Sequence, residues 1–287
     1  MLPLDVLKSR FLILTHAGCA DGAAAAMLAA AALPHCEVRA FLYDDPKYLT
    51  LPATPGILAV DITPPAGRAA EFAAAGAVVL DHHRRNLVEP YGDLGVFGEN
   101  ASGESGAWLA YREVFLRLHG HSHDYDRIAA LSAIYDTWRT ESPEWRNACH
   151  LAALLQTAPL AWCLSAPAYY VLQQASDLGA ALHAAKEADA AKIAAGAVHR
   201  RIGGRNVAIV PTTSVNLINV PGADIVAGFK YQTGAPRVKW SLRSQTVNVG
   251  DIARKHGGNG HNNAAGFFVH DDGRSPYARA ETLFAEV

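Results

Sequence analysis

The chain has 287 residues, 50% of them hydrophobic, and a formal net charge of −2, so it is long enough for two domains with sizeable buried cores. This composition excludes an intrinsically disordered chain, and the near-neutral charge argues against a protein that coats long nucleic acid. The four cysteines form no Cys-x-x-Cys pair and are too few for a disulfide scaffold, which indicates reduced thiols in a cytosolic protein.

The N-terminal residues do not show the basic region, apolar run and cleavage site of a signal peptide. The alanine-rich apolar run at residues 22–33 is too short to span a bilayer. We therefore expect a soluble, cytoplasmic protein without membrane contact, and the sequence leaves a homodimer open.

Short apolar strands alternate with helices in the first half of the chain. We predict strands at residues 11–15, 38–43, 57–60 and 77–80, and helices at residues 21–33, 65–75, 105–118 and 126–138. Because short buried strands between helices are typical of a parallel sheet, this part is predicted to form an α/β domain.

The second half begins with a helix-prone stretch, residues 168–201, which ends at Gly203-Gly204 and is interpreted as the connection to a second domain. A strand is predicted at residues 206–210, and a helix at residues 249–255 runs into a glycine-rich loop.

Another strand, residues 237–244, alternates Val238, Trp240 and Leu242 with a basic outer face, which is typical of a half-buried strand. The predicted fold class is α/β, with a mostly parallel sheet flanked by helices in the N-terminal domain, a helical linker and a smaller α/β C-terminal domain. The predicted domains are residues 1–190 and 191–287.

Polar side chains follow three of the predicted strands at the point where each strand ends. His16 follows the first strand, Asp61 follows the third, and Asp81-His82-His83 follows the fourth. Ligands of open parallel sheets bind beyond the carboxyl ends of the strands, so these side chains are expected to share one edge. Taken singly, each is more often a turn residue or a helix cap than a ligand.

Carboxylates and imidazoles together suit manganese, iron or zinc, and several of them at one edge can hold two ions. Asp61 lies in the middle of the set and is our candidate for a ligand shared by both ions. A second constellation is Gly257-Gly258-Asn259-Gly260-His261, where glycines allow successive backbone N–H groups to point at one anion. His261 and Arg243 can add charge-assisted contacts, and the alternative is a helix C-cap followed by a turn.

The whole set of motifs resembles the DHH phosphoesterases. Asp81-His82-His83 after a buried strand is the defining tripeptide, with Asp61 one strand earlier. Further matches run in order along nearly the whole chain: Thr15-His16-Ala17-Gly18-Cys19-Ala20-Asp21-Gly22, Asp136-Thr137-Trp138, and, for the DHH-associated C-terminal domain, Ser241-Leu242-Arg243-Ser244, Gly257-Gly258-Asn259-Gly260-His261 and Ala264-Ala265-Gly266. The ordered combination is far more specific than any one tripeptide.

The resemblance implies a metal-binding DHH catalytic domain in residues 1–190 and a substrate-binding domain in residues 191–287. It implies two divalent ions, most often Mn²⁺, one held by His16 and Asp61 and the other by Asp21, Asp61, His82 and Asp136. The resemblance also assigns His83 to the substrate phosphate and Asp81 to the orientation of a histidine. Arg243, Gly257, Gly258, Gly260 and His261 are implied to hold a terminal phosphate or nucleotide.

Two positions depart from the family pattern. The first motif usually contains Asp-x-Asp, whereas this chain has Cys19-Ala20-Asp21, which resembles the His-x-x-Cys-x-Asp-Gly form of a subgroup. Cys19 is either a metal ligand, whose thiolate would favour zinc or iron, or a packing residue, and the sequence leaves both open. Asn259 replaces a usual glycine, and asparagine tolerates left-handed backbone geometry.

The leading functional hypothesis is therefore a phosphoric ester hydrolase that cleaves short oligonucleotides or linear dinucleotides with a water activated by two metal ions. The family includes nano-RNases, single-strand exonucleases and dinucleotide phosphodiesterases, and the near-neutral charge favours short substrates. One alternative is an inorganic pyrophosphatase or polyphosphatase, which would need mostly Arg and Lys around the site. The other is a non-catalytic nucleotide- or RNA-binding protein, which only the Cys19 substitution supports.

Overall fold

The computed structural model describes residues 2–43, 45–212, 215, 218–260 and 262–285. The chain divides into two compact units, Met1–His183 (unit 1) and Ala184–Val287 (unit 2). The boundary between a catalytic domain (residues 1–190) and a substrate-binding domain (residues 191–287) stays a prediction from the sequence.

Unit 1 consists of helices around one sheet. Its regular elements, in chain order, are α1 (Leu4–Lys8), β1 (Leu12–His16), α2 (Ala20–Ala32), β2 (Glu37–Phe41), α3 (Pro46–Leu49), β3 (Ile57–Val60), α4 (Ala69–Ala74), β4 (Val78–Asp81), α5 (Arg85–Val88), β5 (Gly95–Phe97), α6 (Gly106–Ala110), α7 (Leu116–His119), α8 (His123–Asp136), α9 (Trp145–Thr157), α10 (Leu160–Ser165), α11 (Ala168–Gln174) and α12 (Ala180–Ala195), which continues into unit 2. Short 3₁₀ segments cover Ala66–Arg68, Glu89–Leu94 and Asn100–Ser102, and π-helical turns cover Tyr111–Phe115 and Ala175–Gly179.

The five strands of unit 1 are all parallel and lie in the order β2-β1-β3-β4-β5. Side chains on both faces are buried: Leu58 and Val60 of β3 join the core that includes α2, whereas Ile57 and Ala59 join a second core that includes Phe72 of α4. The predicted α/β fold with a parallel sheet is confirmed, and burial on both faces explains why these strands are continuous apolar runs.

Helix α2 is buried along most of its length, from Ala20 to Ala29 and again at Ala32. Alanine favours the helix and lets neighbouring elements approach closely, and Pro34 lies just beyond the helix end. The close packing places the first turn of α2 directly behind the carboxyl end of β1.

Unit 2 contains a mixed six-stranded sheet. Its elements after α12 are β6 (Val198–Ile202), β7 (Arg205–Val210), β8 (Ile225–Tyr231), β9 (Arg237–Arg243), α13 (Val249–Lys255), β10 (Asn259–Gly260), β11 (Ala264–His270) and α14 (Pro276–Leu283). The strand order is β10-β11-β9-β8-β7-β6, with β7 and β8 parallel and the other neighbours antiparallel. In β9, Val238, Trp240 and Leu242 are buried in the core as the alternation predicts.

The structure corrects the end of the long helix predicted for residues 168–201. Helix α12 ends at Ala195, and Val198–Ile202 forms an antiparallel hairpin with Arg205–Val210. Gly203 and Gly204 both have positive φ angles, 56° and 83°, so they form the two-residue turn of a hairpin and not the end of a helix.

Several elements lie in stretches where the sequence predicts no regular structure: α1, α3, α5, β5, α9, α10, β8, β11 and α14. Within the described residues, every helix is too short or too polar to cross a membrane. All four cysteines are free thiols.

Candidate metal centre

Three neighbouring strands of unit 1 deliver polar side chains to one edge of the sheet. His16 is the last residue of β1, Asp61 directly follows β3, and Asp81 is the last residue of β4. Strands β1 and β4 both pair with β3 in parallel, so their carboxyl ends lie side by side. Asp61 has a positive φ of 57°, a left-handed backbone that turns its fully buried side chain toward this edge.

Two helices add carboxylates to the same edge. Asp21 lies in the first turn of α2, and Asp136 is the last residue of α8. The Asp21 carboxylate accepts a hydrogen bond of 2.6 Å from the Ser105 hydroxyl and two of 3.2 Å from the backbone N–H of Ala107, at the start of α6. The positive end of α6 therefore stabilises the carboxylate form of Asp21.

The three carboxylates converge on one imidazole. Nε2 of His82 lies 3.2 Å from Oδ1 of Asp61, 3.3 Å from Oδ2 of Asp136 and 3.8 Å from Oδ2 of Asp21. The other ring nitrogen, Nδ1, lies 2.7 Å from Oδ1 of Asn100. Because an amide oxygen only accepts, Nδ1 carries a hydrogen and Nε2 is the nitrogen that points at the carboxylates.

A second group of donors adjoins the first through Asp61. Nδ1 of His16 lies 4.0 Å from Oδ2 of Asp61. The thiol of Cys19 belongs to the same group, in which all potential ligand atoms lie within 4.8 Å of one another. Two further groups meet this distance criterion, one of Asp21, His82 and Asp136 and one of Asp61, Asp81, His82 and His83.

Several buried polar atoms at this edge have no hydrogen-bond partner. They include Nδ1 of His16, Oδ2 of Asp61 and Oδ2 of Asp81. A buried donor or acceptor without a partner is costly, and metal coordination is a standard way to satisfy it. Nδ1 of His16 and Oδ2 of Asp61 lie 4.0 Å apart, and all potential ligand atoms of this group lie within 4.8 Å of one another, so the residues present are near enough together to share a divalent ion.

His83 and Asp81 form a separate pair beside these groups. Oδ1 of Asp81 accepts hydrogen bonds from Nδ1 of His83 at 2.7 Å and from the backbone N–H of His82 at 2.8 Å. Burial disfavours the charge on His83, but the charge of Asp81 and its hydrogen bond raise the pKa of His83 to about 9. In the metal-free protein His83 is therefore cationic near neutral pH.

The other pKa shifts follow from burial, from repulsion between the carboxylates and from attraction between carboxylates and histidines. Burial and the charges of Asp61 and Asp136 raise the pKa of Asp21 well above its usual value, and burial raises the pKa of Asp136. Burial also disfavours the charge of Asp61, but the hydrogen bond from His82 and the charges of His83 and His82 lower its pKa to about 2. Burial likewise opposes the charge of His82, yet the hydrogen bond to Asp61 and the surrounding carboxylates raise its pKa. The raised pKa values of Asp21 and Asp136 indicate that added positive charge nearby would stabilise these two carboxylates.

Two glycines allow this crowding. A Cβ on Gly106 would lie 2.4 Å from Cβ of Asp61, and a Cβ on Gly22 would lie 2.3 Å from the backbone oxygen of His16. Any larger residue at either position would displace a side chain or strand end of the centre.

The residues that support the donors are not among the predicted site residues. Ser105 could have been found from its place before an apolar helical run, where N-cap residues occur. Asn100 begins a short 3₁₀ segment 18 residues from His82, and nothing in the sequence signals the contact. Tyr43, whose ring centroid lies 4.7 Å from that of His16, was also not predicted.

Many solved structures resemble the chain, three of them as follows, whereas no family model and no curated protein matches it. A pGpG-specific phosphodiesterase, PggH from Vibrio cholerae, is 15% identical, with a TM-score of 0.56 over 97% of this chain and 100% of that one. A DHH domain described as a member of a family of ribosomal proteins is 13% identical, with a TM-score of 0.64 over 98% of this chain and 87% of that one. The chain has the DHH fold. RecJ from Thermus thermophilus, in complex with Mn²⁺, is 17% identical, with a TM-score of 0.56 over 98% of this chain and 55% of that one.

Within this DHH fold, the structure brings together all the metal ligands predicted in unit 1. They are His16, Cys19, Asp21, Asp61, His82 and Asp136, with Asp81 and His83 beside them. Their roles as ligands and catalytic residues remain predictions.

The predicted substrate-binding residues lie in unit 2, and the structure changes the interpretation of two of them. The backbone N–H of Gly257 donates to the carbonyl of Arg254, and that of Gly258 donates to the carbonyl of Ala253. Gly257 has φ 73°, so these two glycines end helix α13 and their amides are not free to bind an anion.

The remaining predicted residues of unit 2 keep other contacts. Gly260 pairs with Ala265 of β11, and Arg243, the last residue of β9, donates to the carbonyl of Leu242. His261 lies outside the described residues. The backbones of Gly258 and Gly266 approach each other closely, because a Cβ on Gly258 would lie 2.2 Å from the backbone oxygen of Gly266.

Proposed function

We propose that the chain is a metal-dependent phosphodiesterase that hydrolyses short oligonucleotides or linear dinucleotides with two divalent ions, Mn²⁺ being the best suited. The observation that carries the proposal is the convergence of donor atoms from three strand ends and two helices around the buried Asp61, in a chain with the DHH fold. Carboxylate and imidazole donors in one site suit Mn²⁺ better than Mg²⁺ or Ca²⁺.

His16, Cys19 and Asp61 are proposed to hold one ion. Asp21, His82 and Asp136 hold the other, with Asp61 shared between the two groups. When bound, two such ions lower the pKa of a water and neutralise charge on a phosphoryl group. Asn100 keeps Nε2 of His82 directed at the carboxylates, and Ser105 holds Asp21 in place.

His83 is proposed to bind the substrate phosphate. Its Nδ1 donates to Oδ1 of Asp81, and we assign the contact with a phosphoryl oxygen to the other ring nitrogen, Nε2. The carboxylate of Asp81 keeps the ring oriented and favours its charged form, which strengthens the hydrogen bond as negative charge develops on the phosphate.

Short nucleotides are the proposed substrates for two reasons. The net charge of −2 does not favour long polyanions, and the structural neighbours include a pGpG-specific phosphodiesterase and RecJ in complex with Mn²⁺. In unit 2, Arg243, Gly260 and His261 remain the candidates for holding a terminal phosphate, because the amides of Gly257 and Gly258 are engaged by helix α13.

The test is hydrolysis of a panel in Mn²⁺: a 5′-phosphorylated dinucleotide, a longer single strand, a cyclic dinucleotide and pyrophosphate. Wild type, Asp61→Asn and the control Asp177→Asn are compared, since Asp177 is an exposed carboxylate outside the centre. We expect turnover of the 5′-phosphorylated dinucleotide by wild type and by the control, and its loss in Asp61→Asn.

Other outcomes discriminate between the rival functions. Turnover of pyrophosphate alone would assign the chain to the inorganic pyrophosphatases. Binding of dinucleotide without turnover in Mn²⁺, Zn²⁺ or Fe²⁺ would contradict the enzymatic proposal and leave a nucleotide-binding protein.

A further inference from the structure

A small cavity of about 160 Å³ lies beside the candidate metal centre in unit 1. One wall is the end of β1 and the loop into α2, and the other is the end of α9 and the turn into α10. The lining residues are Thr15, His16, Ala17, Gly18, Cys19, Ala23, Ala40, Leu155, Gln156, Ala158 and Leu160. His16 and Cys19 belong both to this cavity and to the group of donors around Asp61, so an occupant would adjoin that group.

The chemistry of the lining does not suit a phosphate. Among the lining residues that the structure describes, none is Lys, Arg, Asp or Glu, and most are alanine, leucine or glycine. A phosphate needs cationic or N–H donors, and its burial against apolar side chains is unfavourable. The cavity therefore suits an uncharged group of the substrate.

The size and the one amide side chain indicate which uncharged group fits. An apolar protein cavity of about 150 Å³ accommodates benzene, so a cavity of about 160 Å³ accommodates one six-membered ring. Gln156 is the one lining side chain with an amide, which offers both donors and an acceptor. Leu155 and Leu160 provide apolar surface for the faces of a planar ring.

We infer that this cavity binds the nucleobase of the nucleotide whose phosphate lies at the Asp61 group, with the ring against Leu155 and Leu160 and its polar edge toward Gln156. The inference rests on the proposed phosphodiesterase function and narrows it. It implies that the protein discriminates nucleotide esters from pyrophosphate and polyphosphate by the base, because a second phosphate has no favourable place in the cavity.

The test compares an intact 5′-phosphorylated dinucleotide with two analogues in which one or the other base is removed from its sugar. We expect removal of one of the two bases to lower the kcat/KM of wild type about tenfold or more, as loss of one stacked base does elsewhere. Leu160→Trp fills the cavity and should lower kcat/KM for the intact dinucleotide by a similar factor. The same variant should leave kcat/KM for the corresponding abasic analogue within about twofold, because that analogue has no ring to place.

Ala161→Trp is the matched control, since Ala161 is an exposed neighbour on α10 that does not line the cavity. Gln156→Ala alters an exposed residue and provides a second variant if Leu160→Trp does not fold. It should raise KM for the intact dinucleotide and leave KM for the abasic analogue unchanged. Equal rates on the intact and both abasic substrates, or an equal loss on all of them in Leu160→Trp, would overturn the inference.

Failure of the proposed function is distinguishable from failure of this inference. If no substrate is hydrolysed, binding of a nucleoside 5′-monophosphate and of inorganic phosphate in Mn²⁺ is compared in wild type and Leu160→Trp. If wild type binds the nucleotide more tightly than phosphate and Leu160→Trp does not, the base site is supported even though the protein shows no catalysis. Equal affinity for nucleotide and phosphate in wild type rejects the base site whatever the catalytic result.

Discussion

Replacement of Ser105 by alanine tests how the metal centre is supported, because one hydroxyl joins helix α6 to a proposed ligand. The Ser105 hydroxyl donates to Oδ1 of Asp21 at 2.6 Å, and its oxygen also accepts from the backbone N–H of Trp108 at 3.3 Å, as an N-cap. Both Ser105 and Asp21 are buried, with 0% and 1% of their surface exposed, so water cannot replace the lost contacts.

The expected effect differs between the metal-free and metal-bound protein. Without metal, the raised pKa of Asp21 favours its neutral form, so Ser105→Ala should cost about 1–2 kcal/mol, the sum of a weak hydrogen bond and a cap. With metal, Asp21 must be ionised, and loss of a residue that orients a ligand typically weakens metal affinity about 10–100-fold. At a fixed excess of Mn²⁺, this adds about 1.4–2.7 kcal/mol to the loss of stability.

The assay is chemical denaturation of wild type and Ser105→Ala in EDTA and in excess Mn²⁺, together with a direct Mn²⁺ titration. Ser122→Ala is the matched control, because Ser122 precedes α8 without a side-chain cap bond and should change stability by less than about 0.5 kcal/mol. An equal loss of stability in EDTA and in Mn²⁺, with unchanged Mn²⁺ affinity, would refute the reasoning that Ser105 supports a metal ligand.

Three further predictions concern the same centre. Asn100→Ala removes the acceptor for Nδ1 of His82 and should weaken Mn²⁺ binding about 10–100-fold in a metal titration, and unchanged affinity would contradict the orienting role. Cys19→Ser should lower the affinity for Zn²⁺ more than that for Mn²⁺, whereas Cys36→Ser should change neither, and an unchanged preference would make Cys19 a packing residue. Burial disfavours the charge of His83, but its carboxylate partner Asp81 raises the folded-state pKa of His83 to about 9, above about 6.5 in the unfolded chain. The stabilisation from the charged His83 and Asp81 pair is therefore fully present below pH ~6.5 and is lost as the pH rises through ~9. The unfolding free energy of the metal-free protein should therefore fall between these pH values, and the fall should be smaller in His83→Gln.

The sequence allowed prediction of the strand ends that build the centre. Residues 57–60 were predicted as a buried strand and form β3 with those bounds, which places Asp61 directly beyond it. The reason is that a strand buried on both faces must be a continuous apolar run, so its end is marked by the first polar residue. His16 and Asp81 were expected one residue past their strands and are instead the last strand residues, a shift that leaves them at the same edge.

Contacts between distant segments could not be predicted from one sequence. Ser105 and Asp21 are 84 residues apart and meet only because α2 packs against α6. The glycine loop was ambiguous for another reason: a helix C-cap and an anion-binding loop need the same backbone freedom at Gly257 and Gly258. Only the carbonyls of Arg254 and Ala253, which accept the two N–H groups, decide between them.

Local rules of protein structure fail repeatedly at and beside the residues grouped around Asp61, and the failures share one explanation. Asp61 itself and Trp138, two residues past Asp136, adopt left-handed backbone with φ of 57° and 59°, each at a cost on the order of 1 kcal/mol or more. Like-charged carboxylates crowd around His82, and buried polar atoms lack partners. Glycine at position 106 makes helix α6 less stable than a larger residue would, but it leaves the space that Asp61 occupies. Metal ions would relieve the repulsion and satisfy the unpaired atoms at once, whereas a purely structural role would relieve neither. We therefore expect Mn²⁺ to stabilise this protein strongly, and Asp61→Asn to remove most of that stabilisation while Asp177→Asn keeps it.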